Sequence, residues 1–227
     1  MALISSANIA CGVHAGDEMT MAATVELAAA HDVSIGAHPS LDDRANFGRR
    51  EIPTSAAEAF ELVSAQMATL ARIAAARGLA LQHVKPHGAL YNMASRDRAL
   101  ADGVAAAVAA FDRTLVLFGL AGSELIAAGH RAGLRTASEV FADRGYRADG
   151  SLVPRSEAGA VITDPEAVSG RALRMVRDQQ VVAVDGRVIH VTAETICVHG
   201  DTAGAALMAR RIRETLDAAG IAVSARR

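Results

Sequence analysis

Leu81-Gln82-His83-Val84-Lys85-Pro86-His87-Gly88-Ala89-Leu90-Tyr91-Asn92 contains the only lysine of the chain; the 23 basic side chains are this lysine and arginines. So strong an arginine bias points to a coding preference that replaces lysine wherever arginine serves. One position has kept an ammonium. Arginine is a wide planar fork, whereas lysine is a compact charge whose pKa moves on burial. Lys85 is therefore expected where only a point charge fits. Its neighbours are not surface-like: Leu81 to Val84 reads as a short strand after the turn at Gly78. Pro86 ends a central ladder. Lys85 and His87 then fall at the strand's exit, where open α/β sheets and barrels gather their chemistry.

Working outward, the 227 residues suit a single α/β domain spanning 1–227. The chain is 51% hydrophobic but only 3% aromatic, so its core is built mainly from Ala, Leu and Val, which suits helices packed closely on a parallel sheet. A net charge of −2 with acids and arginines interspersed gives no basic face for nucleic acid. No apolar run reaches the ~18 residues of a membrane span. The N-terminus does not read as a signal peptide. Cys11 and Cys197 lie in expected strands rather than in a CxxC pair, which reads as reduced core thiols in a cytoplasmic protein.

A strand, polar turn and helix recur along the chain. Strands are expected at Asn8 to Cys11, Val33 to Ala37, Leu81 to Val84, Thr114 to Phe118, Leu134 to Val140 and Thr195 to Val198. Ser55 and Glu58 form a capping-box pattern ahead of a helix with Phe60, Val63, Met67, Leu70 and Ala74 on one stripe. A later helix carries Leu100, Val104, Val108 and Phe111 on its inner face. Asp164 caps another, with Pro165 at its first position. Val181 to Val191 reads as a hairpin around Asp185-Gly186. The polar strand exits favour a (β/α) barrel, which collects residues from many strands at one mouth, over a doubly wound sheet with one switch point.

The exits carry His14, His38, His87 and His199, with Asp17, Asp143 and Asp201 close by. A single histidine after a strand is more often structural than a ligand, but four at the same end of successive strands suggest that at least two share one pocket. Asp17 and Asp201 each precede a helix, so capping is an equal alternative for both. Two chemistries suit such a set. One is general acid–base work near neutral pH. The other is a metal-bound water, for which His14, His38 and His87 are the candidates, although the spacing does not establish a metal. There is no GxxxxGK[ST] phosphate loop; Gly119-Leu120-Ala121-Gly122-Ser123 is a weak Gly-rich turn that could take an anion.

Six motifs in order, SSANIACGVHAGD (5–17), GAHPS (36–40), VKPHGALYN (84–92), EVFADRGY (139–146), DGSLVPR (149–155) and ICVHGDT (196–202), resemble the LamB/YcsF family across nearly the whole chain. The family is that of the A subunits of bacterial 5-oxoprolinase. The resemblance implies an irregular (β/α) barrel of the glycoside hydrolase/deacetylase type. It further implies ATP-dependent opening of 5-oxo-L-proline to L-glutamate, with Mg2+ expected beside the ATP and with subunits B and C as partners. His14, Asp17, His38, Lys85, His87, Asp143 and His199 are the expected catalytic residues. Asn8, Arg144, Arg155 and Asp201 are the expected substrate contacts. Family members open with a strand close to DLNxDxGE, whereas this chain begins Met1-Ala2-Leu3-Ile4, so the first barrel strand is expected to be missing from it. A metal-dependent deacetylase or amidohydrolase, and a non-catalytic assembly subunit, stay open as alternative functions.

Overall fold

In a computed structural model, which describes every residue except Asp201, Ala203, Arg226 and Arg227, the chain falls into two units, Met1–Ala137 and Ser138–Ser224. The first contains β1 (Ser6–Ala10), α1 (Glu18–Ala30), β2 (Ser34–His38), α2 (Ala56–Ala75), β3 (His83–Val84), α3 (Gly88–Ala94), α4 (Arg98–Phe111), β4 (Val116–Leu120) and α5 (Glu124–Arg131). β5 (Arg135–Phe141) begins in the first unit and ends in the second. The second unit continues with α6 (Pro165–Arg177), β6 (Gln180–Val182), β7 (Val188–His190), β8 (Thr195–Cys197) and α7 (Ala205–Ala218).

In the first unit β1, β2, β3 and β4 are neighbours in that order, all parallel. Asn8 lies opposite Gly36, Gly36 opposite His83, and His83 opposite Val116. Two residues on, Ala10 pairs with His38. Parallel strands leave the ladder at the same end, so the polar residues after β1, β2 and β3 are delivered side by side. In the second unit β5 pairs parallel with β8, and β6 with β7 antiparallel around the expected Asp185-Gly186 turn. This is the α/β class that the strand–helix alternation predicts.

Helix α2 starts with both halves of the capping box: the Glu58 amide donates to Ser55 Oγ, and the Ser55 amide donates to the Glu58 carboxylate. Its inner face buries Ala59, Val63, Met67, Leu70, Ile73 and Ala74. Each larger side chain there contributes roughly 1.5–3 kcal/mol through burial. Phe60, expected on that stripe, is only half-buried, and Ala59 holds the inner position. Phe111 also departs from expectation at 40% exposed. It is the last residue of α4, and Asp112 after it is already extended. β3 is shorter than its apolar pattern suggests, but its alignment with β2 continues beyond it. The Lys85 amide donates to Ala37 O (2.9 Å) and the His87 amide to Pro39 O (2.8 Å). Successive amides of an extended segment point to opposite sides, so the missing N–H of Pro86 falls where β2 needs none.

Gly36 is required by contact rather than by conformation. A Cβ placed on it would overlap the imidazole of His83, a fully buried ring stacked on Phe118 at 4.4 Å. Gly36→Ala should therefore cost about 1–3 kcal/mol, the usual range for overpacking a core, and lower the thermal midpoint by several degrees. Denaturant unfolding of the two proteins checks this; equal midpoints would show that His83 can move aside.

Candidate functional site

Three of the predicted histidines come together in the first unit. His14, from the loop after β1, stacks on His87 with ring centroids 4.1 Å apart and planes 9° from parallel. His38, the last residue of β2, meets His87 edge-on at 4.7 Å. His87 Nδ1 lies 2.9 Å from His38 Nε2. The other nitrogens of this pair face backbone carbonyls: His38 Nδ1 is 2.6 Å from Lys85 O, and His87 Nε2 is 2.9 Å from Phe47 O. Lys85 is 4% exposed, and its ammonium lies 5.7 Å from the centroid of the Tyr91 ring.

The long loop between β2 and α2 packs onto this cluster. Phe47 sets its ring edge against His14 (5.5 Å) and His87 (5.3 Å), and Arg49 lies over Phe47 at 4.9 Å. Phe47 and Gly48 both take left-handed backbone, with φ of 57° and 66°. The Gly48 carbonyl accepts from the Ala89 amide at 2.9 Å. Gly88, at φ +54°, lies so close to that carbonyl that a Cβ would overlap it, and its positive φ also favours glycine. Arg44 ties the loop to the β1 exit by donating to Gly12 O (2.8 Å) and Gly16 O (3.1 Å). Buried Asp43 accepts from the Asn46 side chain and the Arg50 amide. Gln66 on α2 holds Ser40 by both its amide N–H and its carbonyl.

The cluster is electropositive. Burial, then the charges of Arg44 and Arg49, hold His14 down to about 4. Burial, then the charges of His87 and Lys85, hold His38 well below the ordinary imidazole value. Burial and the His14 charge push His87 down to about 3. Among the described residues no group of three or more His, Cys, Asp or Glu side chains is arranged to hold a metal ion; His38 and His87 turn their nitrogens to carbonyls and to each other.

Other predicted residues lie elsewhere. Asp17 is exposed and caps α1, its carboxylate accepting from the Thr20 amide at 2.7 Å. Asn8 lies on β1, and its side-chain oxygen is 2.9 Å from His83 Nε2. In the second unit, buried Asp143 pairs with His199, Oδ2 to Nδ1 at 2.9 Å, and His199 stacks on Phe141. Asp143 Oδ1 is buried without a hydrogen-bond partner among the described residues. The Arg144 guanidinium, expected to meet substrate, donates through Nε to Ala160 O (2.9 Å) and through one terminal nitrogen to Val153 O (2.6 Å). Arg155 is exposed, and Asp201 lies outside the described residues. An Asp–His pair orients one imidazole nitrogen and leaves the other for acid–base work.

The sequence pattern of the LamB/YcsF family matches residues 1–227. The chain belongs to the LamB/YcsF family. It is 53% identical over 225 residues to the A subunit of 5-oxoprolinase from Tolumonas auensis, covering 99% of this chain and 90% of the relative. The corresponding A subunit from Bordetella pertussis is 52% identical over 222 residues, covering 98% and 88%. Among solved structures, the lactam utilization protein from Thermus thermophilus superposes with a TM-score of 0.92 at 46% identity, over 99% of this chain and 90% of that one. The α/β fold of this LamB/YcsF protein is therefore shared with a structurally characterised relative.

Sequence reasoning did not single out Phe47, Gly48 or Gln66 as parts of the site, nor His83 as the partner of Asn8. Gln66 had a signal: a polar residue three positions after Val63 on an apolar helical stripe. Phe47 had only its place before Gly48 in a charged loop.

His83 generates a prediction about acid stability. Burial and then the Lys85 charge push it down to about 3, against about 6.5 in an unfolded chain. Between these values the unfolded chain binds a proton that the folded chain refuses. Stability is therefore unaffected above this window and falls as the pH drops from about 6.5 toward about 3. His83→Phe should make the fall shallower by up to about 1.4 kcal/mol per pH unit. Unfolding free energies measured from pH 6.5 to pH 4 check this, and parallel curves for the two proteins would refute it.

Proposed function

We propose that this chain serves as the A subunit of a 5-oxoprolinase, hydrolysing the lactam of 5-oxo-L-proline to L-glutamate with ATP and with subunits B and C. The observation that carries the reading is 53% identity across nearly the whole chain to a protein of that name. The chemistry of the first-unit cluster supports it. Lys85, buried at a strand exit beside three imidazoles, suits the charge that develops on the lactam oxygen as water adds. His14, His38 and His87 are the groups to activate that water and to protonate the departing ring nitrogen. In the second unit, Asp143 would hold His199 for the same kind of proton transfer. Binding of the substrate carboxylate falls to the cationic groups around the cluster, Lys85, Arg44 and Arg49. ATP, with Mg2+, would supply a phosphoryl group to the lactam oxygen and so make the ring carbon easier for water to attack. The protonated ring nitrogen would then leave, and a second water would release the phosphate. The chain lacks a GxxxxGK[ST] loop, so the nucleotide is assigned to the assembled enzyme. With its described cysteines free, the protein is read as cytoplasmic.

Two measurements test this reading. The chain alone should release no glutamate from 5-oxo-L-proline, whereas the chain with subunits B and C should do so only when ATP is present. Steady ATP-dependent release by the chain alone would overturn the partner assignment. In the assembled enzyme Lys85→Met, which keeps much of the stem and removes the charge, should lower turnover by about 10²–10³ with folding retained. Lys85→Arg should rescue only part of it, because the fork needs more room than the ammonium. Near-normal turnover of Lys85→Met would make the lysine structural.

A further inference from the structure

The turn that presents Asp143 is held from outside itself. Phe141 to Arg144 closes with a bond from the Arg144 amide to Phe141 O at 3.4 Å, longer than the usual ~2.7–3.2 Å, so the turn fixes its own shape only weakly. Three further N–H groups meet its carbonyls. Arg171 of α6 gives its Nε–H to Ala142 O (3.0 Å) and a terminal N–H to Arg144 O (2.8 Å). Between them the Ile162 amide donates to Asp143 O (2.8 Å). One planar guanidinium thus spans the carbonyls on either side of Asp143. Ala142, Asp143 and Arg144 are all buried, so these carbonyls need donors from the protein. Burial lowers the Arg171 pKa, and the Tyr146 and Asp143 charges oppose the shift. The Asp143 carboxylate therefore lies within electrostatic reach of the guanidinium.

We propose that Arg171 is a positioning residue for the Asp143–His199 pair: by bridging Ala142 O and Arg144 O it holds the Asp143 carboxylate on His199 Nδ1, and so sets which imidazole nitrogen is left for proton transfer. Arg171 lies outside the six motifs that carry the family resemblance, and it acts through the backbone. A carboxylate only accepts, so the neutral His199 ring carries its N–H at Nδ1, 2.9 Å from Asp143 Oδ2, and its lone pair at Nε2. The ring also stacks on Phe141, with centroids 5.8 Å apart and planes at 27°. Phe141 is the first residue of the same turn, so a shift of the turn moves both the carboxylate and the ring's support. A lysine would be a poor substitute, because a point charge does not present two in-plane N–H groups at a fixed spacing. The catalytic value of the bridge rests on the assignment of Asp143 and His199 to proton transfer in lactam hydrolysis; the tautomer of His199 does not.

The tautomer is read in the isolated chain without turnover, so this inference and the assigned reaction fail separately. Nitrogen-15 spectra of the neutral His199 ring should show the N–H at Nδ1 in the wild type. In Arg171→Met the ring should become mainly the Nε2–H form that a free histidine favours. Asp143→Asn should do the same, since its side-chain N–H can donate to Nδ1. A ring that keeps its N–H at Nδ1 in folded Arg171→Met overturns the proposal. Arg171→Lys keeps the charge and much of the stem and should give a mixture of the two forms. Should the methionine variant not fold, an unchanged Nδ1–H ring in Arg171→Lys overturns the proposal instead. In the assembled enzyme Arg171→Met should lower kcat by about 10²-fold, the cost of a misplacement of about 1 Å, with KM little changed. In an Asp143→Asn background the same substitution should lower kcat no further, because it acts through Asp143. An equal loss in both backgrounds would make Arg171 merely structural.

Discussion

The Lys85 amide donates to Ala37 O and the His87 amide to Pro39 O, and the geometry of the first-unit cluster follows from these two bonds. They hold the β3 exit alongside the β2 exit for two residues past the point where the strand ends. His38 and His87 are thereby brought within ring contact, and the Lys85 carbonyl is placed against His38 Nδ1. Pro86 stiffens the segment without breaking the alignment, since proline has a fixed φ and the absent N–H points away from β2. A residue with freer backbone there would leave the spacing of the lysine and the histidine less defined.

A second constraint acts from above the strands. The loop after β2 is held down by a carbonyl-to-amide bond between Gly48 and Ala89, with no room for a side chain at Gly88. Left-handed backbone at a phenylalanine costs of order 1–3 kcal/mol. The arginine bonds to Gly12 and Gly16 and the buried Asp43 contacts offset that cost. The result is a cationic cluster with pinned rings, in which little reorganisation is needed when charge develops. Preorganisation of this kind is what makes electrostatic stabilisation effective.

Much of the fold was legible because its signals are local. The capping box at Ser55 and Glu58, the proline at the start of α6 and the Asp185-Gly186 turn each specify structure within a few residues. The histidines after β1, β2 and β3 were legible for a related reason: parallel strands convert similar positions in sequence into neighbouring positions in space. What could not be read were contacts set by tertiary approach. Nothing local says that the Phe47 carbonyl would meet His87, or that Asn8 would face a buried His83. Arg144 carries a contact of the same kind. Its place beside an exit aspartate reads as a ligand for a carboxylate, and the buried carbonyls of Val153 and Ala160, which need donors, also take N–H groups from it.

An arginine-rich chain with one buried lysine also has a peculiar chemical fingerprint. Reagents that acylate primary amines find a single side-chain target, and it is buried at 4% exposure beside the histidines. Lys85 is followed by proline, so the peptide bond that lysine-directed proteases would cut is a poor substrate as well. Amine labelling of the side chains therefore reports on the accessibility of one buried position rather than on the surface at large, a built-in probe for whatever opens or covers the histidine cluster.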